Sequence, residues 1–352
     1  MRLKRMIMKH QRLVWGVIAI VGIGSAAAVL AVNFELIEVA SNDIEKASWP
    51  SSSGTTSITW SVNLTNSNVD TSGGGTIAGA LTNGFTTWSS ATYSSLQVNT
   101  LSFTQGSNST LTAATFDCQN VVGFTESLGT GIIAEAVVSA AFNATPGFTT
   151  CTTTPTPRTC PNKVCIVDAD IEFNPNYNFA TYTPTPSNHF DVQSIATHEI
   201  GHLIGLDHSG LTHAVMFPYG DTANAASQQT LAVDDMIGSE VLYGSSAIQA
   251  VASEVDGTVT LGGSSAFAAH LVAIDSTTGN VITDTLSRPD GTYDMPIVAG
   301  TYYILALPLA PDLNHGPYTI NNFTGFACTF ATIPSTCSGL PANPTNYTGH
   351  YF

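Results

Sequence analysis

The sequence predicts an α+β domain built around a helical histidine motif, followed by a small all-β sandwich. Three observations predict this. Alternating apolar residues (Ile58, Trp60, Val62) mark strands, while Ile77, Leu81, Phe85 and Trp88 recur at helical spacing. A dense histidine motif, ATHEIGHLIGLDHS, occupies residues 196–209. After about residue 255 the chain changes to short alternating strands between Gly-rich turns, the pattern of a sandwich.

In chain order, residues 1–40 read as a targeting segment. Basic residues up to Arg12 precede an uncharged run over residues 13–32. That run is long enough to span a bilayer, which needs about 20 apolar residues, and small residues near its end offer signal cleavage. Either as signal peptide or as membrane anchor, it sends the remainder out of the cytoplasm. Residues 41–54 read as a linker. Five of the nine basic residues precede residue 13, so the exported part is strongly acidic within a chain of formal charge −16. Such a surface repels phosphate backbones, which excludes nucleic acid as a partner.

The domain over 55–244 opens with the strand around Ile58–Val62. Gly73, Gly74 and Gly75 break the chain before the amphipathic helix of Ile77, Leu81, Phe85 and Trp88. Strands follow near Leu101 and over 120–124. Residues 131–142 (GIIAEAVVSAAF) and 164–173 (VCIVDADIEF) read as two strands joined by a long Thr/Pro-rich loop. Asp168, Asp170 and Glu172 are candidates for calcium ligation, against the plainer reading of solvated strand-end carboxylates.

The histidine motif carries the chemistry. His198 and His202 are four residues apart, so a helix sets them one turn apart on one face. Gly205 stands where the helix ends, because glycine reaches the left-handed conformation without a Cβ clash. The chain then turns back to offer His208 as a third nitrogen. Three neutral imidazoles with a fourth position open make a catalytic zinc site rather than a structural one. Glu199 is suited to take a proton from metal-activated water. His189 and His213 read as loop histidines. Asp207 is either a partner of His208 or a surface carboxylate.

This H-E-x-x-H-x-x-G-x-x-H pattern resembles the metzincin metalloproteases, and Ser209 after the third histidine resembles their matrixin branch. Residues 214–218 (AVMFP) look like the family's Met-turn, with Met216 as a non-ligating floor. Residues 231–244 look like its closing helix, in which Asp234 and Asp235 support the Met-turn and the mature N-terminus. Pro218, two residues after the methionine, argues against the astacin-like and serralysin-like branches, which carry Tyr there. The resemblance implies a metzincin catalytic domain: a twisted five-stranded mixed sheet, three helices and a zinc cleft. It implies an endopeptidase in which one catalytic zinc is held by His198, His202 and His208, and Glu199 is the general base. Structural calcium would follow the family. The strand over 131–142 would be the edge that pairs with an extended protein or peptide substrate. The family's pocket wall reads Pro-x-Tyr, whereas here Tyr219 directly follows Pro218. The family's cysteine-bearing prodomain stretch is not found before the domain, so no thiol latency is expected. The competing reading is an adhesion or carbohydrate-binding surface protein on an inactive metzincin scaffold; the intact ligand set argues against it.

Residues 245–254 read as a second linker. The region over 255–352 resembles carboxypeptidase-regulatory-like, transthyretin-like modules, most clearly in the Gly-Thr-Tyr stretches at 291–293 and 300–302. A secreted or membrane-tethered monomer is the expected state. Six cysteines without a C-x-x-C pair then imply disulfides. Cys328 and Cys337 are expected to pair. Cys118, Cys151, Cys160 and Cys165 allow three pairings. The family's sheet makes the strands beside Cys118 and Cys165 parallel neighbours, which implies Cys118–Cys165 and Cys151–Cys160.

Overall fold

The computed structural model describes residues 47–309, with breaks at 52–53, 114–115, 143–146, 152–157, 163, 221 and 223–225, and short strand segments at 6–7, 29–33, 36–40, 44–46 and 350–351. Most of the apolar run over 13–32, and both Cys328 and Cys337, lie outside the described residues. Among the described residues no helix is long and apolar enough to cross a membrane.

The first sheet is mixed. Its strands are β1 (Thr56–Val62), β2 (Leu101–Gln105), β3 (Asn120–Gly123), β4 (Ala134–Phe142) and, after the short hairpin β5 (Phe148–Thr150) and β6 (Arg158–Cys160), β7 (Val164–Phe173). The order is β4-β7-β3-β1-β2, with only β4 antiparallel to its neighbour. Alternation in β1 sends Ile58, Trp60 and Val62 inward, each at most 2% exposed. They meet α1 (Ile77–Ser89), whose Leu81, Phe85 and Trp88 are buried on one face. Trp60 stacks on Phe85 at 4.4 Å between ring centroids. Thr76 caps α1 by accepting the Gly79 amide at 3.0 Å. Across the core from the sheet, α1 packs on α2 (Val192–Leu203), and Trp88 Nε1 donates to the carbonyl of Thr197 at 2.7 Å.

Next come α3 (Val233–Tyr243), the short α4 (Ser246–Gln249) and two small antiparallel sheets. One pairs β8 (Ala252–Thr258) with β11 (Thr292–Val298). The other sets β9 (Ala269–Asp275) between β10 (Val281–Leu286) and β12 (Tyr302–Pro308). Leu271, Ala273, Met295 and Ile297 share a core between them.

Four sequence readings change. The stretch 245–254 is not a loose linker: Ser245 Oγ accepts the Ile248 amide at 3.3 Å to start α4, Ile248 is buried, and β8 begins at Ala252. Within the 41–54 stretch, Trp49 is also fixed. Trp49 is 4% exposed, and its Nε1 donates to the carbonyl of Leu203 at 2.8 Å, where α2 ends. Its indole is too apolar for a solvated linker and has found the core.

Asp168, Asp170 and Glu172 are not solvated strand ends. All three are at most 2% exposed and alternate along one face of β7. Asp170 accepts the Val121 amide at 2.8 Å and Glu172 the Glu126 amide at 2.7 Å. They do not form a set of metal-ligating groups among the described residues, so the geometry gives calcium no support.

The cysteine pairing differs too. Cys118 is bonded to Cys151 and Cys160 to Cys165, with Cα–Cα distances of 5.8 and 5.7 Å. The strands β3 and β7 are parallel neighbours as expected, yet their register, Val122 against Ile171, aligns position 118 with 167. Cys165 lies two residues before that position, roughly 7 Å along the strand. In the hairpin, Cys160 faces Phe148, so Cys151 lies three residues beyond it, about 10 Å along the strand and out of disulfide reach. All four sulfurs share one apolar cluster, and register chooses the partners.

Candidate metal centre

Helix α2 begins at Asp191, whose carboxylate accepts the Ser194 amide at 2.7 Å. The α-helical period then stacks His198 and His202 on one face, at 0% and 1% exposure. Each ring is fixed through its Nδ1. His198 Nδ1 donates to the Val215 carbonyl at 2.7 Å, and His202 Nδ1 to the Leu206 carbonyl at 2.8 Å. A carbonyl only accepts, so both Nδ1 atoms carry hydrogen and both Nε2 atoms present a lone pair.

The end of α2 is set by Gly205, at φ +104°. A Cβ there would stand 2.6 Å from the carbonyl oxygen of Ala47. Backbone conformation and space therefore both demand glycine. The Leu206 amide closes the turn on the Gly201 carbonyl at 2.9 Å. The reversed chain brings His208 Nε2 to 3.2 Å from His202 Nε2. Ligand nitrogens of the three rings lie within 4.8 Å of one another.

Residues 214–218 run beside α2, where the Val215 carbonyl meets His198. Asp235 Oδ2 and Oδ1 accept the amides of Val215 and Met216 at 2.9 and 3.0 Å, and the Ala232 amide also reaches Oδ2 at 2.7 Å. Gln228 Nε2 bridges the carbonyls of Val215 and Phe217 at 3.0 and 3.1 Å. Sequence reading missed Gln228, whose role depends on a turn it meets only in the fold. Of the two acidic residues in the first turn of α3, Asp235 holds the amides of residues 215 and 216. Asp234 instead accepts the Ser209 hydroxyl at 2.5 Å and the Asp284 amide at 3.1 Å.

Glu199 is fully buried on α2, beside the edge strand β4. Burial raises its pKa well above the usual carboxylate value; the charge of Glu135 adds to the rise, and the Ala136 amide opposes it. Asp207 is buried rather than on the surface, with Oδ1 3.9 Å from His208 Nδ1. Burial pushes it up to about 7, against the pull of the His208 amide. His213 is exposed and His189 bonds locally to the Ser187 carbonyl; neither joins the cluster.

The donor set fits zinc. His198 Nε2 is buried and has no hydrogen-bond partner, a costly state for a lone pair unless a cation takes it. Two nitrogens bound to one tetrahedral zinc at about 2.0–2.1 Å lie roughly 3.3 Å apart, close to the His202–His208 separation of 3.2 Å. Burial, then the charge of His202, lowers the pKa of His198 well below its ordinary value, which keeps the ring in its ligating neutral form.

The Matrixin family model matches residues 48–244, more than half of the chain. This chain belongs to the matrixin family. Metalloendoproteinase 1 of Glycine max is 41% identical over 80 residues, 23% of this chain and 25% of that protein. Metalloendoproteinase 5-MMP of Arabidopsis thaliana is 46% identical over 54 residues, 15% of this chain and 14% of its own. Stromelysin-1 of Equus caballus is 42% identical over 50 residues, 14% and 10% respectively. The aligned part of this matrixin spans a quarter or less of each of these relatives. The family match begins at 48, where Ser48 accepts the Ile166 amide and Trp49 enters the core.

Proposed function

We propose that this matrixin is an extracytoplasmic zinc endopeptidase that hydrolyses peptide bonds of extended protein segments. One observation carries the reading: His198, His202 and His208 bring one ring nitrogen each within 4.8 Å of the others, and Glu199, which follows His198, is fully buried. His198, His202 and His208 hold the metal. Zinc, when bound, acidifies a coordinated water and polarises a scissile carbonyl. Glu199 takes the proton of the attacking water and hands it to the leaving amine. A raised pKa makes the carboxylate a stronger base toward the attacking water, and the acid it forms still protonates the more basic leaving amine.

We read Met216, whose sulfur packs against Gly201 of α2, as a non-ligating floor of the histidine cluster. Among the described residues β4 has one strand neighbour, β7, and we read its outer edge as the one that meets the backbone of an extended substrate. The two disulfides support a location outside the cytoplasm. We read the C-terminal sheets as a carboxypeptidase-regulatory-like sandwich on the strength of their paired antiparallel layers and shared core. The adhesion alternative has no observation in its favour, since all three histidines and Glu199 are present and assembled.

The test is a casein or gelatin digest with the wild type and Glu199→Ala, with and without a chelator. Cleavage that stops on chelation, returns with zinc and is lost in Glu199→Ala is the expected result. Cleavage insensitive to both would sink the proposal.

A further inference from the structure

A second buried polar cluster joins the two halves of the chain. From the N-terminal half come Ser209, which follows His208, and Asp234 of α3. From the C-terminal sheets come His270 of β9 and Asp284 of β10. Their exposures are 1%, 1%, 3% and 0%. Ser209 Oγ donates to Asp234 Oδ2 at 2.5 Å and lies 3.5 Å from Asp284 Oδ1. The Asp284 amide donates to Asp234 Oδ1 at 3.1 Å. His270 Nε2 meets Asp284 Oδ2 at 2.5 Å. The register, Val272 against Asp284, makes His270 and Asp284 diagonal neighbours on one face.

The cluster is built for close approach. A Cβ on Gly210 would stand 2.8 Å from Asp284 Oδ2 and 3.0 Å from His270 Nε2, so the loop after His208 has glycine where the pair lands. Beside it, Leu211 and Ala214 pack against Val272. The charges also interlock. A serine hydroxyl has one proton, and Ser209 gives it to Asp234. Asp284 then faces Asp234 across Ser209 out of water, which is unfavourable if both are ionised. Burial and the charge of Asp234 push the Asp284 carboxyl well up, and burial pushes His270 down to about 3. The pair therefore holds one proton between Oδ2 and Nε2.

From this cluster two short paths lead to the metal centre. Ser209 is covalently next to His208, and its amide donates to the Met216 carbonyl at 2.9 Å. Asp234 is next to Asp235, which holds the amides of Val215 and Met216.

We propose that the C-terminal sheets are a working part of the metal centre, with His270 and Asp284 as positioning residues for the loop that carries His208. This rests on the reading of His208 as a zinc ligand. The sheets are then no detachable appendage: they supply the outer wall that keeps the third imidazole aimed at the other two.

The experiment uses the full chain loaded with zinc, and reads zinc release into a chromogenic chelator alongside kcat and KM on a quenched-fluorescent peptide. Loss of a partner behind a ligand typically costs 10–100-fold, so His270→Leu should release zinc about tenfold faster or more and lose a similar factor in kcat, with KM unchanged. His270→Gln places an amide N–H where the imidazole nitrogen stood and should restore most of both. Leu271→Ala weakens the core of the same sheet without touching the cluster, and should release zinc at near the wild-type rate. A folded His270→Leu that matches the wild type, or loses no more than Leu271→Ala, overturns the proposal. If His270→Leu does not fold, Ser209→Ala is read by the same two measurements, and wild-type behaviour there overturns it. A wild-type chain that binds no zinc instead overturns the metal reading itself. A wild-type chain that binds zinc but cleaves nothing overturns only the peptidase reading, and zinc release still decides this one.

Discussion

The sulfur of Met216 occupies the space that a Cβ on Gly201 would fill. Gly201 lies inside α2, where alanine would ordinarily be favoured by about 1 kcal/mol. Trp88 Cζ2 stands 2.9 Å from the same point, so the Met216 side chain would have to move to admit a Cβ. Gly201→Ala should therefore destabilise the protein, by about 1–3 kcal/mol as overpacking usually does. Urea unfolding measures it. A variant more stable than the wild type would show that the floor does not bear on the helix.

The histidines and Glu199 separate by experiment. His202→Ala removes one of the three proposed ligands and should leave the purified protein without stoichiometric zinc by elemental analysis. Glu199→Ala should retain zinc and, on the proposed role of Glu199 as general base, lose about 10²-fold or more in turnover. Zinc lost equally in both variants would mean that Glu199 supports the ligands rather than the reaction.

The two disulfides close loops of different length, with separations of 33 and 5 residues. Chain-entropy reasoning assigns about 4 kcal/mol to the longer loop and about 2 kcal/mol to the shorter. Removing Cys118–Cys151 by paired serine substitutions should therefore lower the unfolding midpoint further than removing Cys160–Cys165. Non-reducing peptide mapping checks the pairing itself. A peptide linking Cys118 to Cys165 would contradict the register of β3 on β7.

Glu172 gives the stability a pH dependence. Burial raises its pKa from 4.5 to about 7, against the pull of the Glu126 and Thr125 amides. Between those two values the folded state keeps a proton that the unfolded chain has released. Stability contributed by this group is thus full below about 4.5, falls as pH rises, and levels off above about 7. Glu172→Gln cannot ionise, so its gain over the wild type should be larger at pH 8 than at pH 5. Denaturant midpoints at the two values measure this, and equal gains would place Glu172 in contact with solvent.

The sequence by itself determined the local pieces. Period-two alternation in β1 and helical recurrence in α1 were legible because one face of each is buried and the other is not. The histidine motif was legible because a helix repeat fixes His198 over His202, and Gly205 can only be a turn at its φ. Asp207 was left open because spacing does not report burial. Only the tertiary structure decided the rest. Disulfide partners followed from strand register, which shifts a cysteine by several ångströms while leaving the sequence pattern unchanged. Trp49 and residues 245–254 looked like linkers because short polar stretches carry no period, yet each found a partner more than a hundred residues away or a cap of its own. The meeting of His270 and Asp284 with Ser209 and Asp234 had no sequence signal at all. Those four residues are brought together by how two sheets dock on one loop, and docking is fixed by packing and buried hydrogen bonds that no local spacing encodes.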